Sequence, residues 1–169
     1  MNEPKLEMSR TSAASANHDL LGAMQQAAAD GLVGALGIKV FQAKHGHLAA
    51  RLELDDEHLG PHGFTHAGTV VALADSCAGL GCMASLPGHA RGFMTLELKS
   101  NFLPSAKAGE TLACHAELEH GGRTTQVWNA TVRREYDCAP VALFRCTQIL
   151  LTELRPASFA ASGPLSTNQ

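Results

Sequence analysis

The segment HAGTVVALADSCAGLGCMASL, residues 66–86, is the part of the chain that most constrains the fold. Wound as a helix, it is apolar on every side, and Asp75 is the only Asp, Glu, Lys or Arg in it. Such a helix has no face suited to water and needs to be surrounded by other elements. Its many alanines and glycines let neighbouring backbone come close. We therefore expect a central helix over about residues 66–86, with the rest of the domain wrapped around it.

A membrane span is the alternative for an apolar segment of this length. Asp75 at its centre argues against that alternative, because a charge in the middle of a bilayer is costly. The first ten residues, MNEPKLEMSR, mix charges and lack the apolar stretch of a signal peptide. Five cysteines, an odd number without a C-x-x-C pair, indicate reduced thiols. We expect a cytoplasmic protein with no membrane partner.

The segments on either side of this helix have the pattern of β-strands. Two strands are predicted within residues 37–56, joined at His45-Gly46, because LAARLEL alternates between apolar and polar residues. Four more strands are predicted at residues 92–103, 110–120, 124–136 and 140–154. Turn residues separate these four, and short links between consecutive strands predict an antiparallel meander.

One domain accounts for the whole chain of 169 residues. Its predicted parts are a flexible N-terminal segment at 1–16, a folded domain at 17–154 and a flexible tail at 155–169, with an N-terminal helix at about 17–31. Asn17 or Asp19 is expected to cap that helix, and Gly31 to lie near its end. Together these elements predict an α+β domain with a curled antiparallel sheet of about six strands around one long helix.

Three segments resemble, in matching order, the hotdog thioesterases of the PaaI (phenylacetic acid degradation) type. They are HLGPHGFTHAGTVVALADSCAG, FMTLELKSNFLPSAKAGE and GGRTTQVWNATVR. The most specific part is the turn His66-Ala67-Gly68, followed by an acid seven residues after the glycine. The F-L-x-P-x-x-x-G spacing from Phe102 to Gly109 also matches. The resemblance covers roughly residues 35–152 and implies the hotdog fold.

The resemblance also implies functional roles for particular residues. Asp75 would act as general base or nucleophile on an acyl-CoA thioester, and the backbone N–H of Ala67 would donate to the oxyanion. Thr95, at the start of the next strand, would assist. The chain departs from the family pattern twice: Ala67 replaces the usual first glycine after the histidine, and Gly60 replaces an Asn or Gln.

The chemistry of these residue types fits thioester hydrolysis. A carboxylate can attack the thioester or activate water, and burial would raise its pKa and make it more basic. The free N–H groups of a helix N-terminus suit a developing oxyanion. His66, Gly68 and Gly60 are the further substrate-binding candidates, with Arg123 as a contact to a CoA phosphate.

The distance along the helix predicts an oligomer. Ala67 and Asp75 are eight residues apart in the sequence, about 12 Å along a helix, so they cannot serve one carbonyl together. Two antiparallel helices related by a twofold axis bring the N-terminus of one beside the acid of the other. We therefore expect a homodimer, or a homotetramer formed as a dimer of dimers.

Other functions compete with an acyl-CoA thioesterase acting on aryl or medium-chain groups. A non-catalytic acyl-CoA binder is favoured by the residues at positions 60 and 67, and a hotdog hydratase or dehydratase is the third alternative. His58, His62 and His66 are spaced by four residues, but Gly60, Pro61 and Gly63 prevent the helix that would align them as metal ligands. The net charge of −3 gives no case for nucleic acid. We expect no metal and no cofactor.

Overall fold

The computed structural model describes residues 19–153, and the predicted segments 1–16 and 155–169 and the cap Asn17 lie outside it. The elements, in chain order, are α1 at residues 19–27, α2 Gly31–Ala35, β1 Lys39–Lys44, β2 His47–Glu53, α3 Ala67–Ala84, β3 Gly92–Phe102, β4 Thr111–Gly121, β5 Thr125–Arg134 and β6 Pro140–Leu151. A single turn of 3-10 helix at Asp56–His58 precedes α3. The six predicted strands and the predicted central helix are confirmed.

The six strands form one antiparallel sheet in the order β1-β2-β4-β5-β6-β3. The predicted meander is correct from β4 to β6 and wrong for β3, which pairs with β6 and not with β4. The reason is α3, which carries the chain beneath the sheet from β2 to the far edge. Since α3 contacts every strand, the sheet curls around it, and the predicted hotdog fold is confirmed.

The first helix is shorter than predicted. It ends at residue 27, and Gly31, expected near its end, instead begins α2. Gly31 has φ of 64°, a left-handed conformation that a helix interior does not admit. Asp30, in an extended conformation, then precedes the new helix. The glycine therefore divides the predicted helix into two.

The buried side of α3 packs through its glycines. The indole of Trp128 on β5 is fully buried against Gly81, and Phe93 on β3 lies against Gly79. A methyl group built on Gly81 would lie 2.8 Å from the Trp128 ring. Gln126 ties the same region together, because it donates to the Ser85 carbonyl at the end of α3 and accepts from the Trp128 indole.

The other side of α3 is less enclosed than expected. Ala67 and Gly68 are exposed, and Val71, Ala72 and Asp75 are half-buried at helical spacing. By length and hydropathy α3 would pass for a membrane span, but 56% of it is packed within the fold. The helix thus keeps an open stripe of small residues, with Asp75 on it.

The edge strand β3 exposes apolar side chains next to this stripe. The exposed fractions are 58% for Met94, 57% for Leu96 and 50% for Phe102. One edge of β3 also has no neighbouring strand within the described residues. Edge strands with apolar side chains and unpaired backbone are surfaces on which another chain can pair.

The contact between Gly81 and Trp128 leads to a stability prediction. Gly81→Ala should destabilise the protein by about 1–3 kcal/mol, because the new methyl group overpacks the core. Gly22→Ala is the matched control: position 22 lies within α1 with nothing within 4 Å of the added carbon. That substitution should stabilise by roughly 0.5–1 kcal/mol through helix propensity. Urea unfolding measures both, and equal stability of the two variants would contradict the packing argument.

Candidate active site

The N-terminus of α3 is organised by His66, which is its N-cap residue. Its Nδ1 accepts a hydrogen bond from the Gly68 N–H at 2.9 Å, and its carbonyl accepts from the Thr69 N–H at 3.0 Å. A side chain on Gly68 would collide with the imidazole, since a Cβ there would lie 2.8 Å from Nδ1. Within residues 19–153, the Ala67 N–H has no acceptor. The turn therefore presents one exposed backbone donor at the positive end of the helix.

Asp75 lies midway along α3 and contacts the edge strand. Its Oδ1 is 3.3 Å from the Thr95 hydroxyl on β3, which is itself 3.1 Å from the Gln148 amide oxygen on β6. Thr95 and Gln148 are opposite each other in the β3–β6 register. The structure thus brings together the predicted pair Asp75 and Thr95, and Gln148 contacts Thr95 from β6.

An irregularity in β3 aims Thr95 at the helix. The register shifts between Thr95 and Glu97, so that Thr95 pairs with Gln148 and Glu97 with Thr147. Thr95 is exposed, but the bulge places its hydroxyl on the side of the buried Gln148 and next to Asp75, whereas the Glu97 carboxylate accepts from the Thr147 hydroxyl. In a regular strand residues 95 and 97 would share one face. The bulge therefore places a hydroxyl beside the carboxylate and keeps the second acid away from it.

The environment of Asp75 makes its carboxylate more basic. Burial raises its pKa from the ordinary value of 3.8, and the hydrogen bond from Thr95 opposes that rise. Cys146 on β6 also interacts with this charge, and burial first, then Asp75, raises the pKa of its thiol to about 12. The thiol is therefore neutral in the physiological range. Asp75 is thus a half-buried carboxylate with one hydroxyl donor among the described residues.

The other predicted residues fall at two places. Gly60 lies beside His66, and a Cβ on it would be 3.7 Å from the imidazole Cδ2, so the glycine leaves room there. Arg123 is exposed in the β4–β5 turn, where its carbonyl accepts from the His89 ring. That turn lies near Ser85, about 15 Å along the helix from Asp75. One chain therefore does not bring Arg123, the Ala67 N–H and Asp75 together.

His58 has a structural role that the sequence analysis missed. Its Nε2 lies 3.0 Å from the Leu36 carbonyl, and its Nδ1 lies 2.8 Å from an Asp55 oxygen. Asp55 and His58 form a reciprocal cap on the 3-10 turn, which the spacing D-x-x-H could have indicated. His62 is exposed. The described residues hold no cluster of three or more potential metal ligands.

Gln148 was also missed, although the pattern of β6 contains a signal for it. The inward positions of this strand are Ala142, Phe144, Cys146, Gln148 and Leu150. One amide interrupts an otherwise apolar set, and it is completely buried. A buried polar side chain in an apolar row needs partners, so its position alone pointed to a hydrogen-bonded group.

Comparison with known proteins gives consistent similarities. The family model described as the thioesterase superfamily matches residues 62–137, a segment that includes Asp75 and Thr95. A 1,4-dihydroxy-2-naphthoyl-CoA hydrolase from Listeria monocytogenes is 32% identical over 117 residues, which are 69% of this chain and 93% of that protein. The acyl-coenzyme A thioesterase PaaI of Escherichia coli is 27% identical over 116 residues, 69% of this chain and 79% of that protein.

A solved structure extends the similarity to a CoA complex. A Streptococcus mutans protein bound to acetyl-CoA superposes with a TM-score of 0.63 at 28% identity, covering 70% of this chain and 91% of that one. Its ligand belongs to the same class as the thioesters in the names of the two relatives.

The raised pKa of Asp75 predicts how stability depends on pH. The folded carboxyl holds its proton more tightly than the unfolded one, so ionisation favours unfolding as pH rises from the ordinary value of 3.8 through the folded pKa. Asp75→Asn should therefore be more stable than wild type near neutral pH, and the gain should vanish towards pH 3.8. Melting temperatures across pH measure this, and a neutral-pH loss of stability would show that the carboxylate is a stabilising partner.

Proposed function

The chain belongs to the thioesterase superfamily, and we propose that it hydrolyses acyl-CoA thioesters with aryl or medium-chain acyl groups to the free acid and CoA. It is a thioester hydrolase by family and fold. The acyl class is supported by the aryl-CoA named for the Listeria monocytogenes relative. The observation that carries the proposal is Asp75, a half-buried acid with a raised pKa, placed on the open stripe of the core helix.

Asp75 supplies the attack on the thioester carbon. As a general base, it takes a proton from water while the water oxygen bonds to that carbon, and the C–S bond then breaks to release CoA. As a nucleophile, its own oxygen bonds to the thioester carbon and the C–S bond breaks to release the CoA thiolate. Water then hydrolyses the mixed anhydride, which gives the free acid and restores the Asp75 carboxylate. Both routes need the carboxylate ionised and held in one orientation. The contact with Thr95 supports that orientation.

Ala67 provides the second half of the site. Its exposed N–H, without an acceptor among residues 19–153, is the donor to the oxyanion, and the positive end of α3 stabilises the same charge. His66 and Gly68 hold the turn in shape through their hydrogen bond. Gly60, which lies beside His66, borders the bound thioester, and the exposed Arg123 binds a CoA phosphate.

The complete site requires a second copy of the chain. Ala67 and Asp75 lie about 12 Å apart on one helix, and both lie on its uncovered side. Two such stripes packed antiparallel place each donor beside the other chain's acid. The exposed Met94, Leu96 and Phe102 of β3 supply apolar surface for that contact. We propose a homodimer, associating further into a dimer of dimers, in the cytoplasm, where the five free thiols remain reduced.

A non-catalytic acyl-CoA binder is the second candidate function. Two features favour it: Gly60 offers no side-chain amide beside His66, and Ala67 adds a methyl group next to the N–H donor. Such a protein would bind acyl-CoA at the same residues and leave the thioester intact. Turnover and binding therefore have to be measured separately.

Asp75→Asn tests the catalytic assignment. The substitution keeps the size of the side chain and removes the basic or nucleophilic oxygen, so kcat should fall by at least ~10²-fold. Acyl-CoA binding should persist. A thiol-release assay over a panel of acyl-CoAs, with calorimetric binding on the same preparations, measures both. Asp56→Asn, the same change at an exposed acid of the 3-10 turn, is the control. Wild-type turnover in Asp75→Asn would end the assignment, and binding without turnover in wild type would favour the binder.

Complementation between two inactive variants tests the shared site. Ala67→Pro replaces the N–H with a ring carbon, and proline fits this first helical position because His66 before it has φ −64° and ψ 138°. Ala67→Pro and Asp75→Asn should each be inactive alone. After reassortment, a mixed dimer holds one site with both groups intact, so activity should return to about a quarter of wild type.

The controls for complementation are each variant mixed with itself. If the mixed sample stays inactive although light scattering shows dimers, the site lies within one chain. A fully active monomer would remove the argument altogether.

A further inference from the structure

Gln148 is a completely buried amide with few partners. Its oxygen lies 3.1 Å from the Thr95 hydroxyl, and its nitrogen lies 3.4 Å from the Cys146 sulfur. Sulfur is a weak acceptor, so in this orientation the NH₂ group has no strong partner among the described residues. A buried amide with unused donors is costly, which makes the orientation of this side chain informative.

The Thr95 hydroxyl has one hydrogen and two acceptors competing for it. It lies 3.3 Å from the Asp75 carboxylate and 3.1 Å from the Gln148 oxygen. Rotating the amide by 180° exchanges its oxygen and nitrogen without moving any other atom. The NH₂ group then donates to the Thr95 oxygen, and the Thr95 hydrogen is left for Asp75. This rotation removes the competition.

Cys146 completes the same arrangement. Burial raises the pKa of its thiol to about 12, so the sulfur keeps its hydrogen. In the rotated amide the oxygen faces this S–H, which can donate to it. Each of the three side chains then gives one hydrogen bond to the next: Cys146 to Gln148, Gln148 to Thr95, and Thr95 to Asp75.

We infer that Gln148 is a positioning residue, which directs the Thr95 hydroxyl onto Asp75 and so fixes the carboxylate for attack. The inference rests on the proposed role of Asp75, and it adds a residue that touches neither substrate nor the reacting atoms. Cys146 is the other titratable group that faces Asp75 from the sheet, and it stays neutral. A change in the titration of Asp75 therefore reports on this chain of hydrogen bonds.

Gln148→Met tests the direction of the bond through the pKa of Asp75. If the amide donates to Thr95, its removal weakens the bond from Thr95 to Asp75, and the pKa of Asp75 should rise. If the amide oxygen instead competes for the Thr95 hydrogen, its removal should lower that pKa. Carbon-13 NMR titration of labelled aspartate measures it, with Asp75→Asn assigning the signal. A fall or no change overturns the inference.

The kinetic readout separates this inference from the proposed function. Gln148→Met should lower kcat by roughly tenfold with little change in KM, as expected for one lost neutral hydrogen bond. Thr95→Val should give the same result, and the double variant should add little. Gln126→Met is the matched control, a buried glutamine bonded to Ser85 and Trp128, and it should leave the titration unchanged. If Asp75→Asn is fully active, the proposed function fails, while the titration still decides the inference.

A measurement on the wild-type protein covers the case in which Gln148→Met does not fold. Nuclear Overhauser contacts from the Gln148 NH₂ protons should be stronger to the Thr95 methyl group than to the Cys146 methylene. The opposite ratio would show that the amide oxygen faces Thr95, and it would overturn the inference.

Discussion

The packing of an apolar helix inside a curled sheet is the interaction on which the rest of this structure depends. The helix and the sheet can approach closely because Gly79 and Gly81 have no side chain to collide with the rings of Phe93 and Trp128. Gln126 then links the end of that helix to the same tryptophan. The strand order follows from this core, because the helix has to pass beneath the whole sheet before β3 begins.

The candidate site occupies the border between the packed and the open side of the helix. A carboxylate deep in the core would be held neutral, and one on the surface would be as weak a base as any aspartate. Asp75 lies between these limits, half-buried, with one hydroxyl contact. An open stripe of small residues supplies no walls for a ligand, and this is why the proposed site includes a second chain. The proposed catalytic role of Asp75 and the proposed assembly both rest on this one uncovered face.

Local sequence patterns predicted the helices and strands. The features that they did not predict depend on contacts between residues far apart in the sequence. Alternation and turn residues located all six strands, and the long run of apolar and small residues located the central helix. The position of β3 beside β6 depends on the crossover helix, which no local pattern encodes. The bulge at Leu96 moves the register by one residue, a shift that alternation in β3 alone does not determine. Asp75 and Thr95 were predicted to lie together because Asp75 is the lone acid of the apolar helix and the flanking motifs resemble a family, whereas the contact of Gln148 with Thr95 depends on the pairing of β6 with β3.

The strand order also governs the order in which the chain can fold. β2 pairs with β4, although α3 and β3 lie between them in the sequence. β3 cannot pair until β6 has been made, and β6 ends at Leu151. Pairings so distant in sequence are slow to form, because the entropy of closing a long loop is lost before the strands make any stabilising contact. On the ribosome, α3 emerges after β1 and β2 but before the other four strands that contact it. The nascent chain therefore holds an incompletely covered apolar helix until β3, β4, β5 and β6 have been made, and exposed apolar surface of this kind favours aggregation.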